Sequence, residues 1–256
     1  MPRLGMRWPG FRKVRRQVCK RVRRRIAELN LESVAAYEDY LLGHGAEWAR
    51  VARRCRITIS RFYRDQAVFC SLAGEVLPAL QDQAVAGGQR TMRGWSVGCA
   101  SGEEPYTLAL LWELQLKQET GCDLQIVATD SDPLLLSRAK TACYHASSLK
   151  ELPAPLLGRG FDRQGERYCL RPEIRSRVAF LCQDIRDGAL PGPFALILCR
   201  NLAFTYFAKE LQSRLLSTFH HCLVPDGALI IGCHEALPRN GLFLPWPRAP
   251  HVFQKI

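Results

Sequence analysis

The sequence predicts a doubly wound, mostly parallel α/β sheet, preceded by a small basic all-α domain and carrying a small β excursion. Three observations lead there. From residue 93 onward short apolar runs alternate with helix-length segments, the pattern of strands covered by crossover helices. An arginine-rich stretch with helical apolar spacing stands ahead of them. Charge divides the chain in the same way: residues 1–64 hold 17 Lys or Arg against 5 Asp or Glu, whereas the other 192 residues hold 19 of each. The whole formal charge of +12 therefore belongs to the first quarter, which marks a basic module in front of an electrically balanced domain.

In chain order, Phe11, Val14, Val18, Val22, Ile26 and Leu29 recur at steps of three and four and define one helical face. Nine Lys or Arg within residues 11–25 occupy the other faces. Asn30 or Ser33 caps a second helix through Val34, Tyr37 and Leu41 that stops at Gly43, and a third covers 46–54. A polar, glycine-containing connector is expected around Gln81 to Gly94, so the domains are placed at 1–80 and 81–256. Strands are expected at 93–97, 124–129, 178–182, 194–199, 228–232 and 251–255, with helices at 104–117, 133–142 and 209–222. Residues 159–175 interrupt the alternation and form the β excursion.

Composition narrows the class. Hydrophobic residues make up 47% and charged residues 23%, a globular balance. No apolar run reaches the ~18 residues a membrane span needs, and the basic N-terminus lacks the apolar core of a secretory signal, so a cytoplasmic protein is expected. Eleven cysteines occur, an odd number without a CxxC pair, and Cys182, Cys199 and Cys222 sit in apolar runs. Reduced, buried thiols are the expectation, with neither a disulfide framework nor a metal site. His220-His221-Cys222 and Cys233-His234 do not have zinc-ligand spacing.

The chemistry concentrates at three expected strand ends. In Trp95-Ser-Val-Gly98-Cys-Ala-Ser-Gly102-Glu-Glu104-Pro-Tyr106 a strand runs into a glycine turn and then a helix. Ligands of open α/β sheets bind at such ends, where glycine lets the backbone come close. Acids opening the helix have the wrong sign for phosphate and suit a cationic ligand such as a sulfonium with an ammonium group. The plain alternative is that Glu103 and Glu104 stabilise the helix N-terminus. Asp130 ends the second strand and can accept ribose hydroxyl protons, or serve as a turn former. Asp184 and Ile185 end the third, where an acid and an apolar neighbour suit an adenine amino group and ring.

Taken together, these blocks are similar to the chemotaxis receptor methyltransferase (CheR-type) family across nearly the whole chain. The resemblance lies in the basic helix pair, Phe62-Tyr-Arg64-Asp before Phe69, Gly98–Tyr106, Ala128-Thr-Asp130, Cys199-Arg200-Asn201, Pro225-Asp-Gly227 and Gly232-Cys-His-Glu235. It implies a Rossmann-like methyltransferase sheet, S-adenosylmethionine as methyl donor and esterification of glutamate side chains on helical receptors. By the family motif, Thr58, Ser60, Arg64, Glu104, Asp130, Asp184, Ile185, Arg200 and Asn201 hold the donor, with Gly98 in the turn. Arg64 orients a carboxylate through its guanidinium fork, or pairs with Asp65 at the surface. Methyl transfer to an ionised carboxylate requires positioning and desolvation rather than a general base, a metal or a covalent intermediate.

Tyr206 matches the family aromatic after the Arg-Asn pair, but one more residue separates it from Asn201 than usual. On a helix that turns a side chain by about 100°, which makes Phe204 a competing candidate and core packing the plain reading of both. Ala195 stands where an acid commonly starts its strand, and the short excursion 161–171 disfavours docking of a receptor tail peptide. The expected partner is an acidic helical protein attracted to the basic helix, a chemoreceptor in the family reading, and the expected state is a monomer. Nucleic acid is not the expected partner, because no aromatics interleave the basic run. Methylation of another protein or a small acid, and a non-catalytic donor-binding module, are the other readings.

Overall fold

The apolar stripe of the basic segment folds as α1 (Arg15–Glu28), burying Val18 and Ile26 with Phe11 from the short 3-10 turn before it. The computed structural model describes residues 2–56, 58–117, 122–239 and 241–256. Helix α2 (Val34–Gly43) opens on Ser33, whose hydroxyl accepts the Ala36 N–H at 3.0 Å. Helix α3 (Glu47–Cys55) buries Val51, Ala52 and Cys55. These helices belong to a first compact unit, Met1–Ile59 with Thr205–Lys209.

One buried carboxylate ties the three helices. Glu47 of α3, 3% exposed, accepts from the Arg25 guanidinium of α1 at 2.7 and 2.9 Å and from the Tyr37 hydroxyl of α2 at 3.0 Å. The hydrogen bonds from Arg25 lead in holding the Glu47 carboxyl below the usual carboxylate range, against burial. Burial first, then Glu47, pushes the Tyr37 phenol up to about 12. An acid lowered in the folded state stabilises it above an unfolded pKa of about 4.3, and that contribution is lost as pH falls through the folded value. Acid titration of the helix signal by circular dichroism is therefore expected to show loss below about pH 4. Glu47→Ala is expected to remove that acid step and to cost about 1–3 kcal/mol for the stranded Tyr37 hydroxyl. An unchanged acid profile in the variant would contradict this.

The second unit comprises Ser60–Phe204 and Glu210–Ile256. It starts with α4 (Gln66–Ser71), which continues through a π-helical turn, Leu72–Val76, into α5 (Leu77–Ala86). Phe69, Leu72, Val76, Leu77 and Leu80 join the apolar core that also holds Leu108, Leu124 and Leu196. Hence the unit boundary falls at 59/60, not at 80/81. The expected connector from Gln81 is corrected too: the helix runs to Ala86 with Gln81 buried, and only a short turn precedes the sheet.

The sheet then assembles as β1 (Thr91–Val97), α6 (Glu103–Leu111), β2 (Asp123–Asp130) and α7 (Pro133–Thr141). An excursion follows: β3 (Cys143–His145), α8 (Ala154–Gly160), β4 (Phe161–Gln164), β5 (Arg167–Leu170) and α9 (Pro172–Arg175). The chain returns through β6 (Val178–Cys182), β7 (Phe194–Leu198), α10 (Ala203–Tyr206), α11 (Lys209–Cys222), β8 (Leu223–Ile230), β9 (Phe243–Pro245) and β10 (Val252–Lys255). Strand order is β6-β2-β1-β7-β8-β10-β9, parallel from β6 to β8, with β10 antiparallel to both neighbours. This is the expected doubly wound, mostly parallel Rossmann-like sheet. Every residue of β7 is buried, as a strand covered on both faces requires. No helix among the described residues is long and apolar enough to cross a membrane.

The excursion is a three-stranded antiparallel sheet, β3-β5-β4, and it overturns the expectation for the cysteines. Cys143 of β3 and Cys169 of β5 face each other in register, with Cα atoms 4.0 Å apart, and form a disulfide. The other nine cysteines are free. Antiparallel register, rather than sequence spacing, brings that pair together.

Candidate functional site

In the larger unit the carboxyl ends of β1, β2, β6 and β7 gather the polar residues. β1 ends at Val97, and the following N–H groups of Gly98 and Cys99 both donate to the Thr129 carbonyl, at 2.8 and 3.0 Å. Gly98 has φ +74°, and a Cβ there would lie 2.5 Å from a Leu202 methyl; Gly102, at φ +91°, begins α6. Both therefore need glycine.

Asp130, at the end of β2, braces this turn. One carboxylate oxygen accepts the Ala100 N–H at 2.9 Å and the other accepts the Asp132 N–H at 2.9 Å. A carboxylate at a strand end accepts from hydroxyls as readily as from backbone N–H groups. The Gln183 N–H donates to the Asp130 carbonyl at 3.0 Å, which brings the end of β6 alongside. There Ile185 is buried, and Asp184 is held by Arg186: one oxygen accepts from its N–H at 3.0 Å and its Nε at 2.9 Å, the other from Nη2 at 2.6 Å. No motif marks that clamp in advance, although Arg186 lies only two residues on.

The two acids opening α6 point inward and separate in role. Glu103, 3% exposed, accepts from Ser101 at 3.0 and 2.9 Å and also bonds Ser60. Burial raises its carboxyl above the usual range, with Ser60 opposing. Glu104 accepts from the Ser96 hydroxyl at 2.8 Å and from Arg200 at 3.1 Å. Burial raises it too, with Arg200 opposing. A fixed carboxylate in a poorly solvated position favours a positive charge nearby.

Arg200, just past β7, is the hub. Besides Glu104, its Nη2 donates to the Arg64 carbonyl at 2.6 Å and to Asp65 at 2.8 Å, and its guanidinium lies 4.8 Å over the Phe69 ring. Burial pushes the Asp65 carboxyl upward, but Arg200, with the Cys233 thiol, Arg64 and Asn201, outweighs it and holds it low. Thus Asp65 pairs with Arg200, while the Arg64 guanidinium donates to the Asn201 side-chain carbonyl at 3.3 Å. Asn201, with φ +56°, donates its N–H to Glu235 at 2.8 Å; the same Glu235 oxygen accepts the Gly232 N–H at 2.7 Å. Asp65, Ser96 and Glu235 were not singled out as site residues from sequence. The only signal for them was their place inside the motif blocks.

The larger unit thus brings Ser60, Arg64, Gly98, Glu104, Asp130, Asp184, Ile185, Arg200 and Asn201 to one set of strand ends. Thr58 and Tyr206 belong to the helical unit. Thr58 is exposed there, and the Tyr206 ring packs 4.9 Å from Phe11 while its carbonyl accepts the Arg7 N–H at 2.8 Å.

Residues 58–246 match the family described as CheR methyltransferase, SAM binding domain. The chain belongs to the CheR methyltransferase family. It is similar to chemotaxis protein methyltransferase 1 of Pseudomonas aeruginosa, 37% identical over 182 residues, covering 69% of this chain and 65% of that one. A chemotaxis protein methyltransferase of Pseudomonas putida is 35% identical over 187 residues, covering 71% and 66%. An uncharacterized 104.1 kDa protein of Rhodobacter capsulatus is 33% identical over 222 residues, covering 86% of this chain and 23% of that protein. The chain spans just under two thirds of the two Pseudomonas proteins and about a quarter of the third.

The CheR-type residues fit S-adenosylmethionine, the ligand of the matched domain. Glu104 carries a negative charge suited to a cationic donor, Asp130 is a carboxylate of the kind that accepts from hydroxyls, and Gly98 and Gly102 let the turn after β1 pack tightly beside them. Arg200 Nε is buried without a protein acceptor among the described residues, so a ligand acceptor at this strand end would complete it.

Proposed function

We propose that this chain transfers the methyl group of S-adenosylmethionine to glutamate side chains of a protein, with a chemotaxis receptor as the substrate class. The observation that supports it is the hydrogen-bonded run from Asp130 through the glycine turn, and from Glu104 through Arg200 and Asp65 to Asn201 and Arg64. Cytoplasmic action and a monomer belong to the same reading. The exposed arginines of α1, Arg16 and Arg23 among them, would draw in an acidic helical substrate.

S-adenosylmethionine supplies a methyl on a positively charged sulfur; the acceptor oxygen forms the new C–O bond as the C–S electron pair returns to sulfur, leaving a neutral thioether. A glutamate acceptor is already ionised at neutral pH, so no residue of the chain has to remove a proton. Arg64 orients the acceptor carboxylate with its planar fork. Glu104 provides the counter-charge for a cationic donor, Asp130 accepts from ribose, and Ile185 gives an apolar wall for adenine. Asn201 and Arg200 fix Arg64 and Asp65. Thr58 and Tyr206 enter this reading from the family motif.

The test is the Arg64→Ala protein. Methyl transfer is expected to fall by at least about 100-fold in kcat/KM, while stability changes by no more than about 1 kcal/mol. Stability lost in proportion to activity would make Arg64 structural and overturn its role.

A further inference from the structure

Six arginines of the helical unit line one hollow of about 520 Å³: Arg21, Arg24 and Arg25 from α1, and Arg50, Arg53 and Arg54 from α3. Each helix contributes positions i, i+3 and i+4, which share a helical face, and α1 packs on α3 so that the two faces meet. The carboxylates beside them are Glu28 and Glu47. Glu28 accepts from Arg54 at 2.6 Å and lies 3.3 Å from both Arg24 and Arg25. Glu47 accepts from Arg25 at 2.7 Å and lies 3.4 Å from Arg50. Six guanidiniums against two carboxylates leave a formal surplus of four positive charges around one concavity.

We propose that this hollow binds a compact oligophosphate anion, the phosphate chain of an inorganic polyphosphate or of a nucleoside polyphosphate. Every lining residue is arginine and none is lysine, and the planar guanidinium fork matches phosphate oxygens in pairs. Like charges at i, i+3 and i+4 repel, and a multivalent anion relieves that repulsion. The lining has no aromatic or aliphatic residue on which a base would stack, so the phosphates carry the recognition. A small concave volume favours a discrete anion over an extended acidic helix, for which the outward arginines of α1 remain available. The site is separate from the proposed methyl-transfer chemistry and stands or falls without it.

The experiment is calorimetric titration of the full chain with sodium tripolyphosphate, with ATP, and with a glutamate-rich helical peptide. One tripolyphosphate per chain is expected to bind. The Arg50→Gln/Arg53→Gln protein should bind it at least about tenfold more weakly, and Arg50→Lys/Arg53→Lys should also weaken it, because lysine keeps the charge but loses the fork. Arg16→Gln/Arg23→Gln, which removes exposed charge outside the hollow, should change it by less than about twofold. S-adenosylhomocysteine binding and the circular dichroism of each variant report whether it is folded. Equal affinity for ATP and tripolyphosphate assigns the bare phosphate chain, and tighter ATP binding assigns the nucleotide. No saturable tripolyphosphate binding, equal weakening by both glutamine pairs, or peptide binding lost with Arg50 and Arg53 in place of phosphate binding would overturn the proposal.

Discussion

Replacing Arg200 with methionine is expected to destabilise the larger unit by about 3–5 kcal/mol, because it strands a buried charge. Arg200 is 6% exposed and is the cation shared by Glu104 and Asp65. Without it, burial would push the Glu104 carboxyl further up, and Asp65 would lose the main charge that holds it low. The pH dependence has a definite sign. An acid raised in the folded state burdens folding only when it must ionise, so its unfavourable effect appears as pH rises past its unfolded value of about 4.3. The deficit of Arg200→Met in urea unfolding should therefore be smaller near pH 5 than near pH 8. Adding Glu104→Gln should recover part of it, since removing both members of a buried pair costs less than removing one. Equal midpoints for the parent and Arg200→Met proteins would show that the hub does not hold the site together.

Asp130→Ala should weaken binding of S-adenosylhomocysteine by about 1–3 kcal/mol, through lost hydroxyl contacts and a loosened glycine turn. Two effects combine because the same carboxylate accepts the Ala100 N–H. Asp130→Asn keeps one acceptor oxygen and should fall between the two. Calorimetry on folded protein reads the difference directly, and an unchanged affinity in Asp130→Ala removes that residue from the site.

Much of the sheet was legible because its strands announce themselves by local pattern. The apolar runs at 178–182 and 194–198 are short, the first bounded by Arg177 and Gln183 and the second opened by Pro191-Gly-Pro193, and α11 spans the expected 209–222. Ser33 was one of two possible caps, and its hydroxyl is the one used. What escaped depends on partners distant in sequence. Gln81 looked like connector because it is polar, yet the helix carrying it is fixed by Leu77 and Leu80 in the core. Cys143 and Cys169 are 26 residues apart, and only the register of β3 with β5 makes them neighbours.

The site divides similarly. Gly98, Gly102 and Asp130 could be read because turn geometry and strand ends constrain residue type locally. The partner of Arg64 could not: adjacency suggested Asp65, whereas folding gives Asp65 to Arg200 and the Arg64 guanidinium to Asn201. Glu235 reaches back to Asn201 across 34 residues, which no spacing rule foretells. The extra residue before Tyr206 was visible, and the ring now lies against Phe11 of the helical unit.

The most direct test of the account is transfer of labelled methyl from S-adenosylmethionine to purified receptor signalling domains, followed by mild base. Label is expected on the protein and should leave as volatile methanol, as a carboxylate ester must, and it should be lost with the Arg64→Ala enzyme. Label that stays on the protein through base, or no transfer to any acidic protein under conditions where S-adenosylhomocysteine binds, would contradict it.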